Sequence, residues 1–296
     1  MKKLIIEVRA NEYTMRDGNP NVPWSAEELG RDAAACRAAG ATIYHFHARH
    51  LNGSPDHRVE SYADAIRGIR AVSDLLVHPT LGAITLDLSG PERLAHIEAL
   101  CTEPQTRPDF APMDVGSTNA DMFDPDAKQF KTTNAIYRNS TETLLFFAKR
   151  IPELGIKPYV MSWNIPFTRQ IDAFLEMGVL RAPLFLAFNL TDGHSLAGHP
   201  GTLPGLQAHL NFLPDSEGLQ WTACNHGGDL QPLLDSIISL GGHVSIGLGD
   251  YSYRGLGSPT NADLVHLVAK RARMHGREIA TPIEARAMLG MEPRAE

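Results

Sequence analysis

The chain has 296 residues, 43% hydrophobic and 21% charged, an ordinary globular composition that excludes extended disorder, collagen-like repeats and a small disulfide scaffold. Lys plus Arg number 27 against 34 Asp plus Glu, a formal net charge of -7, so no general attraction to nucleic acid or to an anionic membrane is expected. Cys36, Cys101 and Cys224 are odd in number and far apart; they fit neither a disulfide framework nor a CxxC metal clip, which predicts a reducing cytoplasm. The apolar run after Met1-Lys2-Lys3 ends at Glu7 and Arg9, too short for a signal-peptide core or a membrane span, so the expectation is a soluble cytoplasmic protein.

In chain order, β-branched and aromatic runs at 3–8, 42–48, 75–79, 110–115, 158–162, 184–189, 219–224 and 243–248 predict eight strands. Amphipathic stretches at 26–39, 59–72, 91–100, 141–154, 171–177, 203–210, 230–240 and 262–275 predict one helix after each strand. Ser25 with Glu28, and Thr281 with Glu284, form capping boxes before the first helix and before an extra C-terminal helix. Eight βα units with no Pro/Gly/Ser linker dividing them predict an α/β protein, a single-domain (β/α)8 TIM barrel spanning residues 1–296. The rival doubly wound sheet lacks support, because the first strand–helix turn carries no GxGxxG.

In such a barrel, chemistry gathers at the C-terminal ends of the strands. The second strand reads Thr42-Ile43-Tyr44-His45-Phe46-His47-Ala48-Arg49, and side-chain alternation puts His45, His47 and Arg49 on one face. Two imidazoles one strand step apart are placed to chelate a divalent metal such as Zn2+; the competing reading is a pair of pocket histidines bonded to their neighbours. The third ligand is not announced. Glu7 and Arg9 face together from strand one, and a carboxylate in mid-strand requires a cation or a metal. Glu7 is therefore expected either to complete the His45/His47 site or to form an interior ion pair with an arginine. Asp250, Asp114, His78 and His226 are the other possible ligands.

Glycine-rich turns follow strands seven and eight, with Gly227 and Gly228 in one and Gly247 and Gly249 in the other. Their amides are expected to cradle the phosphate of a cofactor, although glycines also serve ordinary tight turns. The polar loop 11–23 is longer than a βα turn requires, as lids and substrate loops are.

Glu12 followed by Asn19-Pro20-Asn21-Val22-Pro23, then Ala39-Gly40-Ala41, His45-Phe46-His47-Ala48-Arg49, Gly241-Gly242-His243-Val244 with Gly247 and Asp250, and finally Gly276-Arg277-Glu278-Ile279-Ala280-Thr281-Pro282, together resemble the β-keto acid cleavage enzymes. The likeness runs from strand one to the last helix. It implies a zinc-dependent, homo-oligomeric barrel that condenses a small β-keto acid with acetyl-CoA and splits the adduct into acetoacetate and a new CoA thioester. Carried over, the resemblance makes His45 and His47 metal ligands, Asp250 the general base and Glu12 a substrate contact; Arg49 also matches the pattern and is expected to be catalytic. Arg9, Thr80, Gly82, Asp114 and Ser117 complete the expected substrate-binding set.

Several positions depart from that pattern. A metal-binding glutamate is expected where Gly249 stands, and an arginine that assists the base where Ser245 stands. Pro79, Pro112, Asp114 and Met161 replace a serine, a threonine, an asparagine and a glutamate. Since both charged partners are missing from strand eight, Glu7 and Arg9 on neighbouring strand one are expected to take their places. A metal-dependent lyase, aldolase or hydrolase without CoA, and a binding homologue without catalysis, are the competing functions.

Overall fold

Period-two runs and period-3.6 stretches resolve into strands that line up side by side and helices that cover them. A computed structural model describes residues 2–81 and 88–293. The eight barrel strands are β1 Ile6–Arg9, β2 Ile43–Phe46, β3 Leu76–Pro79, β4 Phe110–Asp114, β5 Lys157–Ser162, β6 Phe185–Thr191, β7 Gln220–His226 and β8 His243–Ile246. All their pairings are parallel, in the order β3-β2-β1-β8-β7-β6-β5-β4. The β3–β4 seam is bridged by Asp109, whose backbone N–H donates to the Val77 carbonyl at 2.9 Å while its carboxylate accepts from the Val77 N–H at 2.8 Å. The result is a nearly closed (β/α)8 barrel.

Around it run α1 Ala26–Ala39, α2 Val59–Val72, α3 Gly90–Leu100, α4 Thr141–Glu153, α5 Ile165–Glu176, α6 Leu203–Leu210, α7 Leu234–Ser239, α8 Asn261–Met274 and α9 Pro282–Met288. Both expected capping boxes are present: Glu28 and Glu284 each accept from the N-cap backbone while Ser25 and Thr281 accept from the third helical amide. The helices bury their apolar stripes against the outward face of the strands, where Tyr44, Phe46, Val77, Phe188 and Val244 stand. Inside the barrel a separate cluster of Ile5, Ile43, Leu76, Phe110, Tyr159 and Phe185 fills the lower layers. The C-terminal α9 contributes Ala285 to that cluster and its C-cap residue, Leu289, joins it, plugging the end where the strands begin. The polar ends of the strands are thereby left as the functional face.

Three local features differ from the sequence expectation. Helix α5 begins at Ile165, because Asn164 caps it from the end of β5, six residues before the periodic stretch starts. The stretch 230–240 is divided into a 3-10 turn, Gln231–Leu233, and α7; Pro232 lacks the amide that a continuous helix needs. Between β4 and α4 the chain makes an excursion in which Thr118–Asn119 pairs with Ile136–Tyr137 and Phe123–Asp124 with Gln129–Phe130. No helix of the described residues is long and apolar enough to cross a membrane. The three cysteines are free and buried.

Candidate active site

Strand register sets the depth of each inward side chain. Arg9 is level with His45, whereas Glu7 is level with Ile43 and Ser245, one layer deeper. Glu7 does face the interior, but its carboxylate is taken up there. It accepts from His78 Nδ1 at 2.9 Å, from Ser245 Oγ at 2.6 Å and from the Tyr159 hydroxyl. Burial alone would raise the Glu7 pKa; the His78 contact, the nearby Arg9 charge and the Ser245 hydrogen bond outweigh it and hold the carboxyl below its ordinary value. His78 is itself driven toward the neutral form by burial, so it serves Glu7 as a neutral Nδ1–H donor. The expectation that Glu7 completes the metal site is corrected accordingly. Its hydrogen-bond partners are not an arginine either, but a histidine, a serine and a tyrosine; Tyr159 has no motif to mark it, and its inward, period-two position on β5 is the signal that points to it.

The carboxylate that meets the imidazoles is Glu12, from the loop after β1. Glu12, His45 and His47 offer ligand atoms that all lie within 4.8 Å of one another, and all three residues are buried. His45 Nδ1 lies 2.8 Å from the His78 carbonyl, which fixes that nitrogen as the donor and leaves Nε2, 3.4 Å from Glu12 Oε1, with its lone pair. Burial, followed by the neighbouring positive groups, lowers the pKa of both imidazoles far below the usual value, so both are neutral bases. Neither Glu12 oxygen has a hydrogen-bond partner, and His47 Nδ1 is likewise buried without one. Burial pushes the Glu12 carboxyl up to about 8 in the absence of an added cation. Buried polar atoms that lack a hydrogen bond in this way are costly, and their convergence is what a metal site requires.

Beside this cluster, Arg9 Nε lies 2.8 Å from Asp250 Oδ2 and 3.2 Å from Glu12 Oε1. Burial works against the Asp250 carboxylate, yet the Arg9 charge holds its pKa below the ordinary value. His226 at the end of β7 places Nδ1 3.4 Å from Asp250 Oδ1, and Tyr13 meets the His47 ring edge-on with centroids 4.8 Å apart. Arg9, Glu12, His45, His47, His226 and Asp250 are thus one constellation, at the C-terminal ends of β1, β2, β7 and β8.

Arg49 has a different duty from the expected catalytic one. Its guanidinium donates to the backbone carbonyls of Gly53, Asn11, Glu12 and Thr14, binding the loop after β1 to the loop after β2. Glu12, with φ +27, is one of the few non-glycine residues with positive φ, and Arg49 holds the carbonyl of that strained residue.

The glycine amides are also committed. Gly227 N–H donates to the Asp250 carbonyl, Gly228 N–H to that of Asn225 and Gly249 N–H to that of Arg9, so these three are not turned toward an anion. Gly247 is needed for close packing, since a Cβ there would lie 1.9 Å from the Arg9 carbonyl oxygen. The expected phosphate cradle is therefore replaced by tight strand and loop packing. Asp114 accepts from Trp163 Nε1 at 2.6 Å and from the Tyr137 hydroxyl at 2.8 Å. Ser117 is exposed and accepts the Asn139 N–H, closing the base of the excursion. Thr80 lies at the end of β3, its carbonyl 2.9 Å from His96 Nε2; Gly82 lies outside the described residues. A cavity of about 1180 Å³ opens at the opposite end of the barrel, beside Lys157, Pro183 and Arg286, and contains none of the constellation.

Comparison with known proteins places this geometry in context. The family model described as beta-keto acid cleavage enzyme matches residues 3–291. A 3-keto-5-aminohexanoate cleavage enzyme of Fusobacterium nucleatum subsp. nucleatum is 29% identical over 298 residues, covering 99% of each chain. A 3-oxoadipate:acetyl-CoA acetyltransferase of Cupriavidus necator is 27% identical, covering 92% of this chain and 89% of that one. Among solved structures, ObcA in a ternary complex with a C4-CoA adduct and oxalate superposes with a TM-score of 0.68 at 14% identity, covering 92% of this chain and 68% of that chain; at that identity the likeness speaks for the barrel fold alone.

Proposed function

Since the chain belongs to the β-keto acid cleavage enzyme family, we propose that it condenses a small β-keto acid with acetyl-CoA and splits the adduct into acetoacetate and a new acyl-CoA, with a divalent metal such as zinc held by His45, His47 and Glu12. The observation that carries this reading is the convergence of two neutral imidazoles and a buried carboxylate without hydrogen-bond partners, next to an ionised Asp250 paired with Arg9. The donor set, two nitrogens and one oxygen, suits zinc with a position open to substrate. Such an ion, when bound, supplies Lewis-acid polarisation of the keto and carboxylate oxygens of the substrate.

Asp250 is the base that takes a proton from C2 of the keto acid. Arg9 keeps Asp250 ionised, and His226 steadies its second oxygen. The carbon so freed forms a bond to the acetyl carbonyl, and the CoA thiolate leaves. In the second half the thiolate attacks the original keto carbon, the C2–C3 bond breaks, and the electron pair left on C2 recovers the proton from Asp250. One acetyl group and one acyl group have exchanged partners, with no oxidation or reduction. Arg49 positions Glu12 through the loop carbonyls, Thr80 and Ser117 stand at the rim for substrate contact, and Asp114 shapes that rim through Trp163 and Tyr137.

The test is incubation with acetyl-CoA and a panel of β-keto acids, followed by mass spectrometry. Acetoacetate and acyl-CoA should appear in equal amounts, stop with a chelator and return with added Zn2+. Cleavage that proceeds equally without CoA would instead assign the chain to the CoA-independent metal lyases.

A further inference from the structure

We infer that Gly249 decides which carboxylate serves the metal: because residue 249 has no side chain, Glu12 from the β1 loop can enter the ligand cluster. The inference rests on the metal reading above and concerns how the site is built. A Cβ placed on Gly249 would lie 1.3 Å from Glu12 Oε2, 2.4 Å from its carboxylate carbon and 2.8 Å from its backbone nitrogen. The Glu12 carboxylate thus stands in the volume of the first side-chain atom of any other residue at 249.

Neither partner is free to move aside with its backbone. Gly249 is pinned on both sides, its N–H donating to the Arg9 carbonyl at 3.0 Å and its own carbonyl accepting from Thr14 Oγ1 at 2.5 Å. Glu12 is held in its positive-φ conformation by the Arg49 guanidinium on its carbonyl. What can yield is the end of the Glu12 side chain, which rotates freely in comparison with the backbone and is held only by the 3.2 Å ion pair of Oε1 with Arg9 Nε. A side chain at 249 therefore evicts the carboxylate from His45 and His47, while the 2.8 Å approach to the Glu12 backbone nitrogen is relieved only by a small shift of the loop. Two residues 237 positions apart share one volume, and only one of them can fill it.

The experiment is a double-mutant cycle read by Co2+ titration, using visible absorption and calorimetry on the metal-stripped full chain, with thermal unfolding of each variant. Glu12→Ala and Gly249→Ala should each weaken Co2+ binding by about 10- to 100-fold or more. The double variant should be no weaker than Glu12→Ala alone, since both changes act through the same carboxylate. Wild-type affinity and spectrum in Gly249→Ala would overturn the inference, as would an equal loss from Gly249→Ala in the Glu12→Ala background. Should Gly249→Ala fail to fold, the double variant decides: recovery of folding upholds the shared volume, and continued failure locates the clash in the backbone and overturns it. A wild-type chain that binds no Co2+ removes the metal reading itself, and the inference with it; binding with an unaffected Gly249→Ala removes the inference alone.

Discussion

Arg9 and Asp250 meet across the junction of β1 and β8, Nε to Oδ2 at 2.8 Å, with both side chains almost closed to solvent. Because the same guanidinium lies 3.2 Å from Glu12 Oε1, one buried cation balances the expected base on one side and the metal-facing carboxylate on the other. Such a pair is strong evidence of a task, since burying three ionisable groups together rarely adds to stability by itself.

Removing that cation should be felt twice. Arg9→Met leaves Asp250 buried without its partner, at a cost of about 3 kcal/mol or more in unfolding free energy. Arg9 depresses the Asp250 pKa, so the ionised form is kept on lowering the pH until the depressed value is reached. Without Arg9 the acid limb of the pH–rate profile should move to higher pH. An unmoved limb would separate Asp250 from the chemistry.

Asp250→Asn keeps the shape and removes the base. Turnover should fall by about 10²- to 10⁴-fold, while Co2+ affinity changes by no more than a few fold, because Asp250 is outside the ligand group. Comparison of single-turnover rates with metal titrations checks both halves.

Glu7→Gln replaces an acceptor of three donors with an amide that must turn a donor toward one of them. Chemical denaturation should show a loss of roughly 3 kcal/mol. Co2+ affinity should stay close to that of the parent chain. A large loss of affinity with unchanged stability would restore Glu7 as a ligand.

At the far end of the barrel, burial lowers the Lys157 pKa to about 8, and its ammonium nitrogen lies 2.8 Å from the Pro183 carbonyl. The unfolded chain binds this proton more tightly, so the Lys157 contribution to stability is lost as pH falls through about 8 and gained between there and the ordinary value of 10.5. Unfolding midpoints measured across that window should rise with pH in the parent chain and rise less in Lys157→Met.

Much of this was legible from local pattern. Strand and helix alternation, the Ser25 and Thr281 caps and the inward pairing of His45 with His47 follow from side-chain period and capping chemistry, which need only near neighbours in the chain. The same alternation correctly turned Glu7 and Arg9 toward the interior. It could not tell how high each would stand, because period two specifies the face of a strand and the stagger between strands specifies the depth.

That stagger put Glu7 beneath the imidazoles and into the grasp of His78, Tyr159 and Ser245. The carboxylate at the right height came from a loop residue, Glu12, whose backbone takes a conformation that no local signal announces. Its place depends on the Arg49 guanidinium 37 residues on and on the missing side chain of Gly249. A strand position inherits its geometry from its neighbours in the chain, whereas a loop side chain takes its position from whatever tertiary contacts hold the loop, and those exist only once the barrel has closed.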